Sequence, residues 1–111
     1  MFAHLTNAKD FEKVAKNGRS FFVKEFGFKI IKNNLNKSRF GIVVSLKTDK
    51  RAVVRNKIRR RLRDIIQANN QNLKNGFDVM FLTRETVKEL KFNKMKDKTN
   101  YLFKKADLFL D

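Results

Sequence analysis

The chain of 111 residues has no cysteine, no proline and one histidine. Without cysteine there is neither a disulfide nor a thiolate metal site, and His4 has no ligand-type residue beside it, so a protein-bound zinc is not expected. No apolar run approaches the roughly 20 residues that span a bilayer. The segment from Met1 to Asn7 lacks the charged start and apolar stretch of a signal peptide, and a cytoplasmic protein is expected. The missing proline accompanies an abundance of Lys and Asn, a bias that an A/T-rich genome produces without structural demand; no function is read from it. Acidic residues are scarce as well: 11 Asp and Glu stand against 27 Lys and Arg, a net charge of +16 at pH 7. Charge of one sign on this scale is tolerable mainly where a partner neutralises it, with nucleic acid the first candidate and an anionic membrane surface the second.

The charge is concentrated in one run. Arg55-Asn-Lys-Ile-Arg-Arg-Arg-Leu-Arg63 has six cations in nine residues. At about 100° per residue, Val54, Ile58, Leu62 and Ile65 share one helical stripe, and Asn56, Arg59, Arg60 and Arg63 project from the other side. One helix, expected from about Val53 to Ala68, therefore carries both an apolar anchor and a charged face. A merely solvated face would mix signs, with Glu spaced to pair with Lys or Arg, yet Arg51 to Arg63 contains no carboxylate. Guanidinium forks match phosphate oxygens and base edges, which makes a polyanion the expected ligand. Asn56 suits a base edge or a ribose, and equally well a cap at the helix start.

Around this helix the chain divides into short elements. Asn7 reads as an N-cap with Asp10 in the first turn, Phe11 and Val14 follow at helical spacing, and Gly18 stands where a left-handed C-terminal cap is expected. Phe21 to Ile31 is rich in aromatic and β-branched residues, with Phe22, Phe26, Phe28 and Ile30 on one face; Asn33 to Lys37 supply turn residues before Phe40, Ile42 and Val44. This pattern predicts a long β-hairpin, and Gly41 within it predicts a bulge or a close backbone approach. Lys47 to Arg51 is a cationic loop leading into the basic helix. Phe77 to Thr83, apolar on both sides, predicts an interior strand, and Phe92, Met95, Thr99, Leu102 and Ala106 predict a closing helix. The expected order is α-β-β-α-β-α in a single domain over residues 1–111, with one further small strand possible inside the hairpin.

Catalysis by side chains is hard to build from this set. The carboxylates are scattered, the serines lack a local base, and a lone histidine near a terminus is more often solvated than catalytic. The aromatic residues are mostly core. Phe11, together with whichever of Phe21, Val23 and Lys29 faces the open side of the sheet, is a candidate for contact with unpaired bases, because period-two alternation groups Phe21, Val23 and Lys29.

The stretch Arg39-Phe-Gly-Ile-Val-Val-Ser45, then Lys47, then Lys50-Arg-Ala-Val-Val-Arg-Asn-Lys-Ile-Arg-Arg-Arg-Leu-Arg63 resembles the signature of the bacterial ribonuclease P protein subunit. Leu5, Phe11, Val14 and Gly18 match that family's N-terminal helix and turn, and Phe77 to Arg84 followed by Leu90 and Phe92 match its final strand and the lead into its last helix. The resemblance implies an α/β sandwich similar to domain 2 of ribosomal protein S5, with a left-handed βαβ crossover around the basic helix. It also implies an RNA subunit that carries the catalysis, holds the Mg²⁺ and removes the 5′ leader of precursor tRNA, with no metal on protein side chains and no obligatory protein partner. Carried over by position, Arg55, Asn56, Lys57, Arg59, Arg60 and Arg63 face the ribonuclease P RNA, aided by Lys47, Lys50 and Arg51. Phe11, Phe21 and Lys29, with Arg59, Arg60 and Arg63, border the groove for the unpaired leader. Three positions depart from the pattern: Lys57 replaces an arginine, Leu46 a lysine, and Ala15 a residue that is often aromatic. The competing readings are a small ribosomal protein, a helix-turn-helix DNA binder, which would need two adjacent helices, and an amphipathic membrane binder, whose apolar stripe the core of so small a domain requires.

Overall fold

The computed structural model describes residues 1–111. Its elements are β1 (Ala3–His4), α1 (Ala8–Asn17), β2 (Arg19–Phe22), β3 (Phe26–Lys32), β4 (Arg39–Val43), α2 (Ala52–Asn69), β5 (Phe77–Thr83) and α3 (Phe92–Lys105), with short 3-10 turns at Asn70–Asn72 and Glu85–Glu89. The five strands form one sheet in the order β1-β4-β5-β3-β2. β5, apolar on both sides, is the central strand, as its composition demands; it runs parallel to β4 and antiparallel to β3. β4, α2 and β5 thus form a βαβ unit between neighbouring parallel strands.

Strand alternation divides the sheet into two faces. Phe28, Ile30, Phe40, Val79 and Phe81 pack with Ile58, Leu62, Ile65 and Ile66 of α2 and with Met95, Leu102 and Phe103 of α3 in the main core. On the other face, Met80 packs with Leu5 and Val14 beneath α1, with Ile31, Val43, Leu82 and Phe11 partly buried around them. Phenylalanine fills the main core through tilted and edge-on pairs, such as Phe28 with Phe81 at 5.2 Å and Phe81 with Phe103 at 6.1 Å between centroids, arrangements that the ring quadrupole favours.

Three local expectations are corrected. β3 and β4 are not paired as a hairpin; β5 lies between them, and the connection through Asn33 to Ser38 crosses its end. That connection is held by Asn33, whose Nδ2 donates to Asp78 Oδ1 at 2.9 Å and to the Lys37 carbonyl at 3.1 Å. The real hairpin is β2 with β3, closed by Lys24 and Glu25, and it pairs Phe21 with Phe28 and Phe22 with Gly27. A two-residue turn pairs odd positions with even ones, so Phe21 joins Phe28 on the core face and Phe22 lies on the α1 face, away from Phe26, Phe28 and Ile30. Lys29, grouped with Phe21 and Val23 by simple alternation, is on the face opposite Phe21.

Gly18 caps α1 but with φ −73°, extended rather than left-handed. Its need is spatial. A Cβ there would lie 2.5 Å from the Val14 carbonyl oxygen and 3.3 Å from the backbone N and O of Ile30. Gly41 does mark a close approach: a Cβ would fall 2.5 Å from the Phe11 ring. The N-cap is as read from sequence, with Asn7 Oδ1 accepting from the Lys9 N–H at 2.8 Å.

Because backbone atoms cannot yield, Gly18→Ala and Gly18→Asn are both expected to cost about 1–3 kcal/mol, the range for overpacking, measured by denaturant unfolding. A left-handed cap would tolerate asparagine, so a neutral Gly18→Asn contradicts the close-approach account.

Candidate nucleic-acid interface

α2 begins one residue earlier and ends one later than the periodicity predicts. Burial of Ile58, Leu62, Ile65 and Ile66 turns the opposite side of the helix to solvent. Lys57, Arg60 and Arg63 are exposed and Arg61 half-buried, and none has a carboxylate within ion-pair distance. The other cations of the motif are tied into the fold. Arg55 Nη1 donates to the carbonyls of Asp49 (3.1 Å) and Lys50 (2.8 Å), and Arg59 donates to Asn56 Oδ1 (2.8 Å) and to the Val44 carbonyl (3.1 Å). Asn56 is not a helix cap, since α2 starts at Ala52; it orients Arg59 instead.

The cationic loop before α2 is organised by one acid. The nearly buried Asp49 carboxylate accepts from the Arg51 N–H, Nε and Nη2 at 2.8 to 3.0 Å and from Lys88 Nζ at 3.2 Å. These bonds, Arg51's side chain foremost, hold the Asp49 carboxyl well below the usual carboxylate range and raise the pKa of the Arg51 guanidinium. Arg51 is therefore neutralised within the chain. Lys47 and Lys50 remain exposed with no acidic partner.

The α1 face of the sheet is covered over only part of its area. Phe22, Gly27, Leu82 and Val43 stand opposite one another in a single row across β2, β3, β5 and β4. At about 4.8 Å per strand this row is roughly 14 Å long. Phe22, Leu82 and Val43 are half-buried. At the β2 end Arg84 lies 4.9 Å from the centre of the Phe22 ring and donates through Nη1 to the carbonyls of Val23 and Lys24. At the β4 end a groove of about 210 Å³ opens between α1 and α2, lined in part by His4, Thr6, Phe11, Gly41, Arg59 and Arg63. β1 pairs only with Arg39 and Phe40, which leaves the rest of that edge of β4 to border the groove.

Among the residues singled out from sequence, the structure thus brings Phe11, Arg59 and Arg63 together. Phe21 is not with them, and Lys29 gives its Nζ to the Ala15 carbonyl at 2.9 Å. Phe22, Arg84, His4 and Thr6 were missed as members of this surface. The signal for Phe22 was Gly27, where a Cβ would collide with the Phe22 ring at 2.4 Å, the usual pairing of an aromatic residue over a strand glycine. No three His, Asp or Glu side chains come close enough to hold a cation, and Asp49 and Asp78 are committed to Arg51, Lys88 and Arg39. No helix is long and apolar enough to cross a membrane.

Comparison with known proteins bears on this geometry. A family model described as Ribonuclease P matches residues 2–107. A ribonuclease P protein component from Clostridioides difficile is 35% identical over 105 residues, covering 94% of this chain and 91% of that protein. The RNase P protein from Thermotoga maritima is 31% identical with a TM-score of 0.81, covering 91% of this chain and 96% of that one. The Staphylococcus aureus RNase P protein, 24% identical, has the same fold at a TM-score of 0.89 over 99% of this chain and 100% of that chain.

Asp49 has its pKa depressed on folding, so the stability it contributes is present above the ordinary carboxylate range and is lost as pH falls through and below it. Asp49→Asn is expected to lower the melting temperature at about pH 7, with the gap to the parent protein narrowing as the pH approaches about 2. A gap independent of pH would show that the carboxylate charge is not what matters.

Proposed function

Because the chain belongs to the ribonuclease P protein family, we propose that it is the protein partner of a ribonuclease P RNA and that it assists removal of the 5′ leader from precursor tRNA. The observation that carries this reading is the outer side of α2, where Lys57, Arg60 and Arg63 are exposed and unpaired on a helix locked to the core. Held on a rigid element, these groups lose little freedom on meeting phosphates, and each contact releases counterions from the RNA. In this reading Arg60 and Arg63 contact RNA directly. Arg55 and Arg59 shape the interface, Arg55 by fixing the loop that carries Lys47 and Lys50, Arg59 by joining α2 to the end of β4. Lys57 supplies charge but not the two-pronged geometry of arginine.

The unpaired leader lies along the row of Phe22, Gly27, Leu82 and Val43, beside Phe11, with arginines at both ends. An apolar strip flanked by cations suits single strands, whose bases seek π and apolar contacts while the backbone follows the charge. Phe22 fills the place first assigned to Phe21. Gly27 keeps the middle of the row low, and the exposed Ala15 adds no aromatic ring. The chain's part is to bind, orient and neutralise: it lowers the repulsion between two polyphosphates, and Mg²⁺ serving the hydrolysis would be held mainly by the RNA subunit.

Adding the protein to a bacterial ribonuclease P RNA at low Mg²⁺ is expected to restore leader removal at the mature 5′ end; a small ribosomal protein of similar charge would not do this, and no gain in cleavage refutes the reading. Arg60→Ala and Arg63→Ala are each expected to weaken RNA binding and to flatten its salt dependence by about one unit. A slope unchanged in both variants would remove α2 from the interface.

A further inference from the structure

The largest cleft in the molecule lies away from the basic helix. It has a volume of about 670 Å³, within the roughly 300–1,000 Å³ of sites that hold a small organic ligand, and it sits where β3 ends, β5 begins and α3 stops. β2 starts opposite Ile30, so Ile31 and Lys32 of β3 have no strand beside them on that edge, and the cleft opens there. Ile30, Ile31 and Phe77 give it apolar lining, and Arg19, Lys32 and Lys74 give it charge. Asp107, the one carboxylate in the lining, is held by Lys74 at 3.1 Å. Arg19 and Lys32 are left exposed with no acidic partner, and the Arg19 guanidinium is propped 5.2 Å from the centre of the Phe21 ring.

The cleft and the α2 surface occupy opposite corners of the molecule. Arg59 reaches Val44, past the C-terminal end of β4; the cleft is at the C-terminal end of β3, which runs the other way, on the far side of the central strand. The molecule is 36 Å across its longest dimension, several times the Debye length of about 8–10 Å. No α2 residue lines this cleft, so an anion bound here is held directly by Arg19 and Lys32.

We propose that this cleft is a second site for single-stranded RNA, taking an unpaired nucleotide with its base against Phe77 and its phosphates on Arg19 and Lys32, three residues on the sheet face shared with Ile30. The proposal rests on the reading of the chain as an RNA-binding subunit and adds a separate contact to it. The chemistry favours a nucleotide over an acidic peptide. A peptide carboxylate needs only the cations, whereas the aromatic and branched apolar surface matches a base, and Asn17 in the lining can both donate to and accept from a base edge. Two contacts at opposite corners let one small subunit clamp an RNA that is folded around it.

The test uses calorimetric titration with a single-stranded oligoribonucleotide of about four nucleotides, the lower end of single-strand site sizes. The parent protein is expected to take two oligonucleotides, and Arg19→Gln combined with Lys32→Gln to take one, with the salt slope lowered by about 1.4, two single-strand phosphate contacts. Retention of two sites in that variant, a single site in the parent, or equal displacement from this cleft by poly-glutamate overturns the proposal. Arg60→Ala combined with Arg63→Ala is expected to leave the cleft site intact. Loss in the cleft variant alone would instead count against the α2 reading, so the two ideas fail separately. Circular dichroism melting of each variant shows that it is folded; both substitutions are at exposed positions.

Discussion

Burial of one flank of α2 against the sheet determines what the rest of the surface can do. Ile58, Leu62, Ile65 and Ile66 are almost wholly removed from solvent, each contributing about 1.5–3 kcal/mol relative to exposure. Like charges on adjacent turns oppose this by only about 0.2–0.5 kcal/mol per pair. Hydrophobic burial wins by a wide margin, and the helix tolerates a run of uncompensated cations that would not be stable as a free peptide. The same burial fixes the rotation of the helix, so the direction of every guanidinium follows from where four aliphatic side chains sit.

Much of this could be read from the sequence because helical periodicity is local. The stripe of α2, the closing helix and the two-sided apolar character of β5 all lie within short windows, and each element was found to within a residue or two. Strand pairing is not local. Nothing between Phe21 and Val44 announces that β5, more than thirty residues later, will lie between β3 and β4. Parity is equally hidden: the turn at Lys24 and Glu25 lacks the glycine or asparagine that marks a tight hairpin, so simple alternation runs straight through it and puts Phe21 on the wrong face. The commonest use of a glycine such as Gly18 is positive φ, whereas its constraint here is a carbonyl four residues back and a strand across the gap.

The candidate site divides along the same line. Sequence shows which side chains are cationic, but not which are already spent. Arg55 and Arg59 are spent on backbone carbonyls, which no residue name reveals, and Arg51 is spent on Asp49, two residues before the carboxylate-free run begins. The cations that remain free are the subset that binding can use without breaking an internal bond. The resemblance to the ribonuclease P protein family points to this surface; the hydrogen bonds separate the residues tied into the fold from those left exposed.

The acids reinforce that separation by where they are placed. Arg39 bridges Asp78 of β5 at hydrogen-bond distance and Asp10 of α1 at 3.2 Å, joining α1 to the sheet, and Asp49 joins the loop before α2 to Lys88. Asp78 and Asp49 are nearly buried, and both bind cations needed for the fold. Few carboxylates are then left to face outward among the arginines of α2. With charges screened beyond about 8–10 Å, the attraction an RNA feels is set by the groups nearest it, not by the total of +16. Asp64, exposed one turn beyond Arg60 at the end of the basic run, cancels part of that field, whereas an acid buried beneath the loop costs it little. The scarcity of acids in this chain is thus less telling than their position: Asp49 and Asp78 hold structure together, and from Arg51 to Arg63 no acid opposes the charge.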